Sequence, residues 1–269
     1  DKELVSTIQF NKNDSTDTDS DAANDTGDDQ SSGTGGVTGE IVENQVHKWN
    51  DLESQFRVFA PTSNSANTPQ ALVVYLHGKT GSNFASPASY PRVSSQYGAY
   101  GQPRPTVDQA FYERTLNESS MWNNTVIAAI LTPSTNGSFI TWSTALSGAQ
   151  RNANADYIHD LVTSKILPKY NIDLNKIYFV GQSGGGVFLG NTFIPRHGEK
   201  YKGGAIMLCG SETPRRELDF NPSEEFKLNY KIHIETTNRE QTGLVPRIKE
   251  GRSSYEKIFG KENVSYRNE

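Results

Sequence analysis

The chain has 269 residues, enough for one medium domain and a tail, and only 34% of them are hydrophobic. Its formal net charge is −5 with no cluster of Lys and Arg, which gives no footing for nucleic-acid phosphates or anionic lipid. The single cysteine, Cys209, excludes an internal disulfide framework and a CxxC pair, and no run approaches the ~20 apolar residues of a membrane span.

The apolar deficit is concentrated near the start. Residues 13–47 carry no Lys or Arg, and their core reads NDSTDTDSDAANDTGDDQSSGTGG. Such a composition cannot bury enough apolar surface to offset the entropy of ordering, so residues 1–38 are predicted as a disordered acidic linker and 39–269 as the folded domain. Asp17, Asp19 and Asp21 alternate as in a calcium loop, but the glycine and closing glutamate of an EF-hand are missing at the required offsets. A surface tether is the simplest use of this stretch.

From residue 39 onward the pattern changes to short strands and helices. Strands are predicted at 39–49, 55–60, 71–77, 125–131, 176–181, 203–209, 230–236 and 263–267. The runs ALVVYLHG, TVIAAILTP, KIYFVGQ and GAIMLCG are nearly continuous, as strands buried on both faces of a parallel sheet read. Cys209 closes the last of these and reads as a buried structural thiol. A helix is predicted over 152–167, where Ala155, Ile158, Leu161, Val162 and Ile166 share a face before Pro168. A second is predicted over 245–259, with Ile248, Tyr255 and Ile258 on one side and Gly260 as its stop. Strands alternating with helices imply an α/β fold: a mostly parallel sheet of about eight strands flanked by helices. The first two strands, with no helix between them, are predicted to form an antiparallel meander at one edge. Residues 82–121 form a long insertion carrying Tyr90, Tyr97, Tyr100, Phe111 and Tyr112. Within it, 107–116 reads as a crossover helix, and the aromatic remainder either lines a pocket or packs as an irregular loop. Trp142 poses the same choice.

The strongest local signal is Gly181-Gln182-Ser183-Gly184-Gly185, a G-x-S-x-G string that follows the apolar strand KIYFV and opens a helical segment. A strand-to-helix turn this tight has no room for side chains beside the serine, which accounts for the glycines. It lifts the Ser183 hydroxyl above the sheet edge as a nucleophile and aims a helix N-terminus at developing negative charge. A Walker loop would need Lys-Ser/Thr after the glycines, and a dinucleotide fingerprint a different glycine spacing. The second signal is His77-Gly78-Lys79-Thr80-Gly81 at the end of the third strand. An oxyanion needs prepositioned amide donors, and the backbone N–H groups of Gly184 and Lys79 are the candidates, with Thr80 next. His77 reads as a structural residue of that turn.

At these motifs the chain resembles the α/β-hydrolase superfamily, and within it the secreted esterases that include polyhydroxyalkanoate depolymerases and feruloyl or acetylxylan esterases. The resemblance runs through YLHGKTGS, KYNIDLNKIYFVGQSGGG and FIPRHGEKYKGGAIMLCG and covers roughly residues 40 to 269. It implies an α/β-hydrolase fold, a carboxylic ester substrate of polysaccharide or polyester type, secretion or a cell-surface location, and no metal or organic cofactor. It also implies a nucleophile–acid–histidine order. Glu240, in the loop after the seventh strand, is the best carboxylate, with Glu235 closer to the strand. All five histidines (His47, His77, His159, His197 and His233) precede Glu240, and the strand 263–267 runs into the end of the sequence at Glu269. The expectation is therefore a chain incomplete at its C-terminus, with the general base beyond it. A prolyl-oligopeptidase-type peptidase would share the elbow, but residues 1–40 cannot supply the propeller domain those enzymes carry upstream. A catalytically inactive hydrolase fold used for binding is the third reading, supported by the missing histidine.

Overall fold

A computed structural model of the chain describes residues 35–36, 41–60, 68–78, 125–136, 139–140, 142, 146–236 and 244–268. Its contacts cluster into units 1–30 and 31–269, and every described residue lies in the second.

Eight strands form one sheet. They are β1 (Ile41–Trp49), β2 (Leu52–Phe59), β3 (Gln70–Leu76), β4 (Thr125–Ile130), β7 (Ile172–Gln182), β8 (Gly203–Leu208), β9 (Lys231–Thr236) and β10 (Val264–Asn268). A separate two-stranded ribbon joins β5 (Thr135–Asn136) to β6 (Phe139–Ile140). The order across the main sheet is β1-β2-β4-β3-β7-β8-β9-β10. β1 and β2 pair antiparallel through a tight turn in which Asn50 takes φ 50°, β2 pairs antiparallel with β4, and every other pairing is parallel. All eight expected strands are present, the mostly parallel architecture is as expected, and the antiparallel meander sits at the expected edge.

The helices follow from the crossovers. From β4 to β7, β8, β9 and β10 the chain steps in one direction along the sheet, so right-handed connections place their helices on one face. These are α1 (Gly148–Leu161), α2 (Gly184–Phe188), α3 (Ile194–His197), α4 (Glu224–Asn229) and α5 (Leu244–Phe259). α1 begins four residues earlier than the apolar periodicity suggested. Ser147 caps it in a capping box, accepting from Gln150 N–H at 3.2 Å while the Gln150 side chain accepts from Ser147 N–H at 3.0 Å. A π turn over Val162–Ile166 completes the helical stretch before Pro168. α5 has nearly its expected bounds and ends where Gly260 takes φ 82°.

Against this helical layer the strands present Leu72, Val74, Leu76, Phe179 and Met207, all fully buried. Their alternate residues Val73, Tyr75, Tyr178 and Val180 are only half-buried, so β3 and β7 alternate instead of burying both faces. β4, with β2 and β3 on either side, is buried along its whole length.

Candidate active site

Ser183 stands at the C-terminal edge of the sheet, between β7 and α2. Its backbone takes φ 48° and ψ −111°. Four close approaches account for this geometry. A Cβ on Gly181 would lie 2.5 Å from the Gly185 carbonyl carbon, and one on Gly185 would lie 2.3 Å from the carbonyl oxygen of Leu76. Both motif glycines thus let the first turn of α2 press onto the ends of β7 and β3. On the other side a Cβ on Gly210 would be 2.1 Å from the Ser183 carbonyl oxygen, and one on Gly186 would be 2.2 Å from that of Gly210. Ser183 N–H donates to Leu208 O at 2.7 Å, which ties the turn to the end of β8.

Gly78 comes up from the end of β3 beside the serine, where a Cβ would meet Ser183 Cβ at an ordinary 3.6 Å. His77, just before it, is fully buried, with both ring nitrogens committed. Nε2 accepts the Thr132 N–H at 3.1 Å, so Nδ1 carries the proton and donates it to Gly78 O. Burial pushes His77 down to about 4, which keeps the ring neutral. Beneath it Trp142 is fully buried, its ring 5.3 Å from His77 and 5.4 Å from Phe188 of α2. Trp142 is thus packing under the elbow and not a pocket wall.

The other four histidines are engaged elsewhere. His47 is buried with Nε2 3.0 Å from Asp160. His159 faces the Tyr201 hydroxyl through Nδ1 at 2.7 Å, and its ring stacks on His197 at 4.6 Å. His197 donates from Nε2 to Asp156 at 2.7 Å, and burial lowers it to about 4 despite that carboxylate. His233 lies on β9, with Nδ1 2.8 Å from Ser265 Oγ and Nε2 3.4 Å from Glu235. Register pairs Gln182 with Leu208 and Leu208 with Glu235, so Glu235 sits level with the serine turn but two strands away, roughly 10 Å. Its carboxylate is turned to His233 on the sheet face.

The strand order, the helices between successive parallel strands and a strained serine between a central parallel strand and a helix decide the architecture. The chain has the α/β-hydrolase fold. Among solved structures it is similar to a thermostable esterase, at 21% identity over 85% of this chain with a TM-score of 0.52. It spans about half of that protein, 54% of its length. A ferulic acid esterase matches at 13% identity over 86% of this chain and 89% of its own, with a TM-score of 0.50. Acyl-protein thioesterase 2 of Zea mays matches at 15% over 80% and 89%, with a TM-score of 0.51. At these identities the likeness is one of fold. No protein-family model and no curated protein sequence matches the chain.

Within this fold the candidate residues divide in two. Ser183 and Gly184 are described, and the N–H of Gly184, first residue of α2, has no partner inside the helix. Lys79, Thr80, Glu240 and the insertion 82–121 lie outside the described residues. Cys209 corrects an expectation. β8 ends at Leu208, whose carbonyl is taken by Ser183, and the chain then turns through Cys209 at φ 52° with its thiol residue half-buried. The loop after β8 carries no sequence signal, yet there Ser211, Glu212 and Arg215 meet α1, α5 and a π turn over Leu189–Phe193 that follows α2. Its residues, GSETPRRE, have neither apolar periodicity nor a motif to mark them. Among the described residues no group of three or more His, Cys, Asp or Glu could hold a metal, and no helix is long and apolar enough to cross a membrane.

Proposed function

We propose that this protein is a serine esterase that cleaves a carboxylic ester through an acyl-enzyme on Ser183. The observation that carries the reading is the Ser183 backbone, held at φ 48° and ψ −111° over the edge of a parallel sheet. A non-glycine residue sits there at a cost of about 1–3 kcal/mol, a strain that recurs where geometry serves chemistry. Ser183 Oγ attacks the ester carbonyl, and the oxyanion accepts hydrogen bonds from the Gly184 and Lys79 amides. Collapse of the tetrahedral species breaks the C–O bond, the alcohol leaves with a proton, and water then releases the acid.

The proton must pass through an imidazole. His77 has no free nitrogen and the other four are engaged away from Ser183, so none of the five is assigned as the base, and Glu240 is the carboxylate proposed to orient it. Proteins similar in fold are named as a thermostable esterase, a ferulic acid esterase and an acyl-protein thioesterase, which supports the reaction class. The substrate is an ester of a polysaccharide or polyester, and the protein acts outside the cell or at its surface, with residues 1–38 as a tether. The test is hydrolysis of p-nitrophenyl butyrate by the full-length protein. Ser183→Ala should lower kcat/KM by about 10³-fold or more. Unchanged hydrolysis overturns the reading. One observation, the absence of Ser183 from the partners of any of the five histidines, favours a second reading: a hydrolase fold that binds esters without turnover. Wild-type protein that binds and does not hydrolyse would establish it.

A further inference from the structure

The loop after β8 does more than connect. Its first residue beyond Cys209, Gly210, lies directly against Ser183, and the residues after Gly210 are fastened to the serine-bearing helix, to α1 and to α5. Glu212 accepts from Asn191 Nδ2 at 2.5 Å and pairs with Arg247 of α5. Arg215 donates from Nη1 to Asn152 Oδ1 of α1 at 3.1 Å and to Thr192 Oγ1 at 3.4 Å, and its Nε and Nη2 hold Glu217 at 2.7 and 2.6 Å.

The anchors on the serine-bearing helix come from a π turn, Leu189–Phe193, between α2 and α3. A π turn widens the helix, and Pro195, which has no N–H, leaves the Gly190 and Asn191 carbonyls without their i+5 and i+4 ladder donors. Two are used here: Gly190 O accepts from the buried Tyr255 hydroxyl, and Asn191 O accepts from Arg215 N–H at 3.2 Å. The same turn carries Asn191 and Thr192, polar yet almost fully buried, as the side-chain partners of the loop. Space is closed on both walls. A Cβ on Gly190 would be 2.7 Å from Glu212 O, and one on Gly251 of α5 would be 2.6 Å from Ser211 Oγ.

The structure assigns to Glu212 and Arg215 the positioning of Ser183: bonded to the π turn, α1 and α5, they hold the Gly210 peptide against the Ser183 carbonyl and so maintain its left-handed backbone. They are positioning residues, since neither touches the hydroxyl. The inference rests on Ser183 being a nucleophile and deepens that reading.

It is tested in the full-length protein with an alkyl fluorophosphonate. Ser183 Oγ forms the O–P bond, the P–F bond breaks, fluoride leaves and the serine proton passes to the base. The maximal inactivation rate and the concentration for half-maximal rate are measured separately, together with the labelled fraction at completion. Arg215→Ala and Glu212→Ala should slow the maximal rate by about 10- to 100-fold, the range expected when a reacting group is misplaced by about an ångström. The half-maximal concentration should stay unchanged and Arg215→Lys should recover part of the rate. A merely structural role would reduce the labelled fraction and leave the rate constant of the labelled molecules alone. That outcome, or a wild-type rate in a folded variant, overturns the assignment while leaving Ser183 as nucleophile. Wild-type protein that takes no label at Ser183 overturns both. Should Arg215→Ala fail to fold, Glu212→Gln and Arg215→Lys, each keeping one anchor, carry the same comparison.

Discussion

Ser183 holds a backbone conformation that glycine alone adopts without strain, and its neighbours enforce it by contact. This separates two substitutions that would otherwise look alike. Ser183→Ala removes the hydroxyl and keeps the Cβ, so its stability should match the wild type. Ser183→Gly removes the Cβ as well, and should raise the unfolding free energy by about 1 kcal/mol after the extra entropy of an unfolded glycine is subtracted. Urea unfolding of the pair decides it: a glycine variant no more stable than the alanine variant would show that no strain is stored. Gly210→Ala acts in the opposite sense. Its new methyl would meet the Ser183 carbonyl oxygen at 2.1 Å, backbone against backbone, with no flexible side chain to yield. A loss of about 2–3 kcal/mol is expected from that overpacking, read in the same unfolding experiment, and rapid wild-type labelling of Ser183 should go with it.

At the level of elements, the helix start shows why some of the structure was readable and some was not. Apolar periodicity reports the face a helix buries, so it placed α1 from residue 152, where Asn154, Ala155, Tyr157, Ile158 and Leu161 begin to pack. The first turn, with Gly148 to Arg151, buries little and is specified instead by the Ser147–Gln150 capping box. Ser147→Ala should therefore cost about 1 kcal/mol, a result checked by thermal or urea unfolding, with Gln150→Ala costing less. No change would mean that α1 is held by its buried face alone. The π turn at Leu189–Phe193 is different in kind. Pro195 in GGGVFLGNTFIPRH marks a local break, since it has no N–H to return to Asn191 O, but the groups that take up the freed carbonyls, Tyr255 and Arg215, are distant in sequence and brought near only by the sheet order. The same is true of Trp142, whose position between His77 and Phe188 no local pattern encodes.

Over the whole molecule, the sheet was legible because its signals are local: each strand is an apolar run, and right-handed crossovers then leave few arrangements. The serine turn was legible for the same reason, glycines at fixed offsets between a strand and a helix. What joins distant segments was not: His77 was readable as a structural residue of its turn, but neither its bond to Thr132 nor the burial of His197 beside Asp156 has a local signal. His77 and His197 are both folded into the interior as neutral rings, lowered from 6.5 to about 4, chiefly by burial. The unfolded chain binds a proton at each near the ordinary value and the folded chain does so only near 4. The stability they allow is therefore complete above pH 6.5 and falls as the pH drops toward 4, by about 1.4 kcal/mol per pH unit for each histidine. Asp156 does not confuse this window: burial raises it, but its bonds from Arg196 and His197 bring it below the usual carboxylate value, so it titrates at lower pH. Urea unfolding at steps from about pH 7.5 to 4.5 should show a plateau above 6.5 and a decline below it. His197→Gln, which keeps a donor for Asp156 and cannot titrate, should flatten the decline by roughly one proton's worth, about 1.4 kcal/mol per unit. An acid limb equally steep in that variant would mean that His197 is already protonated in the folded protein, and that the His159–His197 stack is held by charge to Asp156 and not by burial.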